Sequence, residues 1–254
     1  MLQTRVIPVL LLKGEGLYKG VKFKNHKYIG DPVNTVKIFN DKEVDELVIL
    51  DIEASKLSKP INFNLLKDIV SEAFMPIAYG GGIKTVEDAK TLFSLGIEKV
   101  ILNTYALKDS SLIKELVDIF GSQSVVFSLD VKKGFFGREA VFSTSGTKKV
   151  SKSPLDIAKS MQSLGIGEII INSIDNDGMM KGYNLKLIEE ISHNLSIPVV
   201  ALSGASSLND FILAKKSGAH AVAAGSMFVY NGVHKAVLIS YPSNEKLCDI
   251  FEEK

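Results

Sequence analysis

The sequence predicts a closed (β/α)8 barrel. Three observations carry that prediction. Eight short, almost wholly apolar runs recur along the chain, each is followed by a helix-like segment, and the two halves of the chain align with one another. Parallel strands covered on both faces read as continuous apolar runs rather than alternating ones. A strand followed by a helix, repeated eight times, closes into a barrel. The chain has 254 residues, 46% of them hydrophobic, enough to fill one such core. No Pro- or Ser-rich linker interrupts the pattern, so residues 1–254 are expected to form a single barrel domain.

The strands are expected at Val6–Leu12, Glu46–Asp51, Pro76–Tyr79, Lys99–Asn103, Ser124–Asp130, Glu168–Asn172, Pro198–Leu202 and Ala221–Ala224. Between them, "TVEDAKTLFSLG" reads as a helix with Thr85 as N-cap and Glu87 and Asp88 in the first turn, where the helix dipole favours acids. "SPLDIAKSMQSLG" reads as another, with Ser153 as N-cap, Pro154 at the first helical position and Gly165 as the stop. The stretch "KKGFFGREAVFSTSGTKKVSKS" after the fifth strand is too long for an ordinary connection, and a small hairpin is expected around Glu139–Ser143.

Composition narrows the function. Thirty Lys and Arg against 29 Asp and Glu give a net charge of +1, which argues against broad electrostatic binding of nucleic acid. The single cysteine, Cys248, excludes an intrachain disulfide framework and a thiolate zinc site. The opening "MLQTRVIPVLLLKGEG" has an apolar run too short to span a bilayer and no cleavage pattern, so no membrane association and a cytoplasmic location are expected. His26, His193, His220 and His234 show no metal-ligand spacing, and no nucleophile elbow is present; neither a metal nor a cofactor is expected.

The internal repeat organises the polar residues. "GGGIKTVEDAKTLFSLGIEKVILNT" from Gly80 aligns without a gap with "LSGASSLNDFILAKKSGAHAVAAGS" from Leu202, at an offset of 122 residues. Gly82 meets Gly204, Thr104 meets Ser226, and the same offset lays Glu46 on Glu168. Two half-barrels explain this, and matched positions should then face each other across the barrel. Gly82 with Asn103 and Thr104, and Gly204 with Gly225 and Ser226, each follow strand ends and precede helices. Glycine lets the backbone approach a phosphate, and a helix start supplies free N–H groups. Two phosphate cradles, hence a phosphorylated small molecule, are expected; plain chain turns remain the other reading.

Asp51, Asp130 and Asp177 fall at or just beyond strand ends, the rim where barrels place their chemistry. Asp130 follows "VVFSL" and should be desolvated enough to act as a general acid or base near neutral pH. At the opposite end, Arg5, Glu46, Lys99 and Glu168 stand at strand beginnings. Facing inward they would pair, two cations with two anions, and close or gate the axis; facing outward they would be four solvated charges.

With these residues in view, the chain resembles the cyclase (synthase) subunit of imidazole glycerol phosphate synthase over nearly its whole length. The matching stretches are "GDPV" at Gly30–Val33, "VDELVILDIEAS" at Val44–Ser55, "GGGI" at Gly80–Ile83, Asn103-Thr104, "GSQSVV" at Gly121–Val126, "SIDNDGMMKGY" at Ser173–Tyr183 and Gly225-Ser226. The resemblance implies a bisphosphorylated substrate held across two opposed sites, with Asp177 and Gly178 among the binding residues. It also implies a glutaminase subunit docked on the N-terminal face of the barrel. Ammonia would pass through a gate of Arg5, Glu46, Lys99 and Glu168 and up the axis, and Lys19 matches the lysine of a mobile first loop that closes on substrate.

The first strand departs from the family pattern. The family reads C-L-D-V-K-D-G where this chain reads "VLLLKGEG", so the first catalytic aspartate falls on Leu11 while its partner is kept as Asp130. A divergent branch with an apolar run here resembles helpers of an amidotransferase that builds acetamidino groups on bacterial surface sugars. Three readings stay open. One is an ammonia-supplying subunit for such an amidotransferase, acting on a nucleotide sugar. Another is a genuine cyclase of histidine biosynthesis, and the third a non-catalytic scaffold.

Overall fold

The computed structural model describes residues 4–134 and 137–252. Eight parallel strands form the barrel: β1 (Arg5–Lys13), β2 (Leu47–Asp51), β3 (Ile77–Gly80), β4 (Lys99–Leu102), β5 (Val125–Lys133), β6 (Glu168–Ser173), β7 (Val199–Leu202) and β8 (Ala221–Ala224). Each pairs with the next in chain order, β8 pairs with β1, and the circle is complete. Every expected strand is present within a residue or two at its start. Helices α1 (Pro32–Asn40), α2 (Phe63–Ser71), α3 (Val86–Ser94), α4 (Ser111–Phe120), α5 (Pro154–Ser163), α6 (Leu185–Asn194), α7 (Leu208–Lys216) and α8 (Asn244–Glu252) follow the strands in turn.

The apolar runs are explained by two separate cores. On β1, Val6, Leu10 and Leu12 point outward into the layer beneath the helices, with Phe39, Leu66 and Leu92. The alternate residues Ile7 and Val9 point to the axis, where they meet Val48, Ile101, Val126, Ile170 and Val200, with Leu11 and Leu50 packed above. Both strand faces are therefore buried, and no alternation of polar residues survives in the sequence. The helix starts match their signals. Thr85 accepts from Asp88 N–H while Asp88 reaches back, a capping box, and Ser153 accepts from Asp156 N–H ahead of Pro154.

Two hairpins project from the C-terminal rim. The expected one follows β5: strand Glu139–Ser143 pairs antiparallel with the end of β5 and continues to Lys148–Lys149. Phe135 and Phe136 of that stretch, and Met1–Gln3, lie outside the described residues. The other follows β1, where Gly16–Val21 and Lys24–Gly30 form a long antiparallel pair. The sequence suggested only a loop there, because Lys24–Gly30 is polar and exposed. Among the described residues, no helix is long and apolar enough to cross a membrane.

Candidate functional site

At the N-terminal end of the barrel the four charges do face inward and meet. Arg5 binds Glu46 through Nη1 and Glu168 through Nη2. Lys99 Nζ lies 2.9 Å from both Glu46 carboxylate oxygens and 3.2 Å from Glu168 Oε2. The result is an alternating ring across the axis. Glu46 and Glu168 are 4% and 7% exposed, so the charges persist only because each has two partners. Burial works to lower the Arg5 pKa, but the attraction of Glu168 and Glu46 outweighs it and raises the value.

Immediately above the ring is a small chamber of about 10 Å³, walled by Ile7, Val48, Ala78, Val126, Ile170 and Val200, with Glu46 and Glu168 at its floor. Its volume is that of about one water molecule. Val9, Ile101 and Leu202 line both this chamber and a larger cavity of about 230 Å³ at the C-terminal mouth. The axis is thus lined by apolar side chains between a charged floor and the cavity at the mouth.

The mouth divides into two halves. Leu11 and Leu50 continue the apolar wall on the β1–β2 side. Opposite them stands Asp130, only 7% exposed. Its Oδ1 accepts from Ser128 Oγ and from Asn172 Nδ2, both at 3.0 Å, and Asn172 Oδ1 in turn accepts from Ser203 Oγ at 2.6 Å. Burial pushes the Asp130 carboxyl up to about 7; the two hydrogen bonds oppose that shift, and the nearby Asp177 charge adds to it. Asp130 is thus buried at the C-terminal end of its strand, within reach of two donors. Lys132, two residues on, does not accompany it and is turned over the Phe142 ring at 5.8 Å.

The β1 hairpin closes over this mouth. Lys19 is buried, and its ammonium donates to Val9 O. Burial lowers its pKa to about 8, against the attraction of Asp177. Gly225 is the residue beside it, and a side chain there would occupy the space the ammonium fills. Asp177, itself raised mainly by burial, accepts from Phe23 N–H at 3.1 Å, and Lys22 N–H donates to the Asp177 carbonyl at 2.9 Å. Gly178 has φ +68°, and a Cβ on it would overlap Gly20 O. Glycine at 178 is what lets the hairpin dock. The second hairpin meets the first, since Gly146 packs against Phe23 and Ile174.

The remaining expected residues, Gly82 excepted, are gathered at the same mouth, but several are already engaged. Asp51 Oδ1 accepts from Glu53 and Ala54 N–H, both at 2.9 Å, and so caps the short helix Ala54–Leu57. Thr104 Oγ1 accepts from Thr144 N–H at 3.0 Å and donates to Asn103 Oδ1, while Asn103 Nδ2 donates to Ser128 O. Gly80 and Gly81 line the cavity; Gly82 lies off it, packed on Ala54. On the other half, Gly204, Gly225 and Ser226 line the cavity, with Ser226 starting a short helix as Thr104 does. Sequence reasoning missed Ser128 and Asn172. The signal was a two-residue step from known inward positions: Glu168, Ile170, Asn172, and Val126, Ser128, Asp130. Among the described residues, no cluster of three His, Cys, Asp or Glu side chains is placed to hold a metal ion.

A barrel with a charged floor, an apolar axis and a lidded polar mouth is the class of molecule defined by this geometry. Residues 5–235 match the family described as "Histidine biosynthesis protein", and the chain belongs to that family. It is 54% identical over 248 residues to the "Putative imidazole glycerol phosphate synthase subunit hisF2" of Pseudomonas aeruginosa, covering 97% of this chain and 99% of that one. It is 47% identical to the "Putative imidazole glycerol phosphate synthase subunit hisF3" of Vibrio vulnificus, over 96% and 94% of the two chains. It is 41% identical to the "Imidazole glycerol phosphate synthase subunit HisF" of Alkaliphilus metalliredigens, over 92% and 93%.

Proposed function

We propose that this chain is the ammonia-conducting, synthase-like subunit of a glutamine amidotransferase system. A glutaminase subunit docks on the N-terminal face, and the ammonia leaves at the mouth for a nucleoside-triphosphate-dependent amidotransferase that activates the acetamido oxygen of a nucleotide sugar, so that ammonia replaces it, the oxygen departs with the phosphoryl or nucleotidyl group and an acetamidino group remains. One observation carries this reading: a complete ion ring and an apolar-lined axis lie beneath a mouth in which Leu11 stands opposite Asp130. In this reading the ring keeps water and ammonium from the chamber, and a neutral molecule such as ammonia is the species an apolar lining admits at least cost. Cyclisation needs proton transfers at two positions, and losing one positioned acid or base typically costs 10²–10⁴-fold. The chain keeps the conduit and lacks one of the two acids.

The cavity-lining loop residues Asn103, Thr104, Gly204, Gly225 and Ser226 support binding of a phosphorylated molecule at the mouth, although Gly82, expected with them, lies off the cavity. The second reading, a genuine cyclase, draws on Asp130 and on the names of the relatives. Purified chain with a glutaminase partner and the histidine-pathway substrate separates the two. The proposed reading expects glutamine hydrolysis with at most trace imidazole glycerol phosphate, and robust cyclisation would overturn it.

A further inference from the structure

The hydrogen bonds around Asp130 have a direction. Ser203 is held at φ +76°, a backbone conformation unusual for a residue with a side chain, at the very point where its hydroxyl reaches Asn172. That hydroxyl donates to Asn172 Oδ1, which fixes the amide so that Nδ2 faces Asp130. Ser128 donates from the same strand. Both donors converge on Oδ1, and no described residue donates to Oδ2. The carboxyl sits at the wall of the mouth cavity, above the chamber.

We propose that Ser128, Asn172 and Ser203 are positioning residues that make Asp130 a one-oxygen proton carrier, with Oδ1 committed to the network and Oδ2 alone exchanging a proton with a small nitrogen species at the head of the axis. Two donors on one oxygen localise negative charge there. In the neutral acid the proton therefore sits on Oδ2, the oxygen left free to face the cavity. The step balances simply: the Oδ2–H bond breaks, the proton passes to the lone pair of ammonia, and a carboxylate and an ammonium ion remain; the reverse step regenerates the acid. With Leu11 across the mouth, this single group carries the exchange. The choice of ammonia as the arriving species rests on the function proposed above, whereas the orientation of Asp130 does not.

The experiment is a carboxyl-13C NMR titration of the full chain labelled at aspartate, with the Asp130 resonance identified by its loss in Asp130→Asn. Wild type should titrate near 7. Ser128→Ala and Asn172→Val each remove a donor to the charged form and should raise the midpoint by about one pH unit, while Ser128→Thr, which keeps the hydroxyl, should restore it. Ser203→Ala, which touches only Asn172, should shift it in the same direction by less. A midpoint unmoved in both Ser128→Ala and Asn172→Val overturns the network. A second titration compares ammonium chloride with tetramethylammonium chloride at equal ionic strength. Ammonium should lower the midpoint and tetramethylammonium should not. If the network variants behave as stated but ammonium has no effect, Asp130 is oriented as described and ammonia is not its partner.

Discussion

Replacing Lys99 with methionine removes the one ammonium from the ring and keeps most of its stem. Lys99 Nζ makes three contacts of 2.9–3.2 Å to Glu46 and Glu168, and after its loss both carboxylates share Arg5 alone. Their side chains are only 5% and 9% exposed. Removing one partner of a buried ion pair typically costs about 3–5 kcal/mol, because a charge is left buried and uncompensated. Lys99 is itself one-fifth exposed, which places the expected loss near the lower figure, about 3 kcal/mol. For a urea slope of about 3 kcal/mol/M, that is a fall of about 1 M in the unfolding midpoint with the slope unchanged. Adding Glu46→Gln to Lys99→Met removes one orphaned charge, so the double variant should lose less than the two single losses combined. Urea unfolding followed by circular dichroism reads both quantities. A single-variant shift below about 0.2 M, or strict additivity in the double variant, would show that the ring is not the buried, mutually dependent cluster described.

Two further perturbations test the mouth. Asp130 has a folded pKa of about 7, above its unfolded value, so the folded state favours the neutral acid. That stability is fully present below the unfolded pKa and is lost as pH rises towards 7; it amounts to up to about 4 kcal/mol. Asp130→Asn, whose carbonyl still accepts from Ser128 and Asn172, should therefore be more stable than wild type at pH 8 and converge with it near pH 4, as read from urea midpoints. Equal stability at pH 8 would contradict the buried acid. Gly178→Ala places a methyl on Gly20 O at a positive φ and should undock the β1 hairpin at a cost of about 1–3 kcal/mol. Hydrogen exchange at residues 17–30 should quicken while the barrel strands stay protected, and unchanged exchange there would contradict the docking account.

Much of the barrel was legible because its signals are strong and local. Runs such as "VVFSL" and "EIIIN" are buried on both faces, and caps such as Thr85 and Ser153 mark helix starts with side-chain chemistry. The ring was legible as a set of residues but not as a geometry, since strand-start charges read the same whether they face water or the axis. The β1 hairpin was not legible as strands. It is held by Asp177, more than 150 residues away, and by left-handed turns at Lys22, Phe23 and Asn25 that ordinary turn signals do not reveal. Ser128 and Asn172 were not legible as site residues because a small polar residue inside an apolar strand carries little signal alone; their meaning comes from Asp130, which both reach, and from Ser203 just beyond the end of β7. Asp51 and Thr104 show the converse, since much of their hydrogen-bonding capacity is taken up by a helix cap and by the β5 hairpin.

The measurement that matters most follows the nitrogen. The chain, a glutaminase subunit and the proposed sugar amidotransferase are supplied with a nucleoside triphosphate, amide-15N glutamine, excess unlabelled ammonium, an acetamido sugar nucleotide and the histidine-pathway substrate together. The account predicts 15N in the acetamidino group with little dilution by the bulk ammonium, loss of that protection when Arg5 or Lys99 is substituted, and essentially none in imidazole glycerol phosphate. Efficient 15N incorporation into imidazole glycerol phosphate, with the sugar unlabelled, would contradict it.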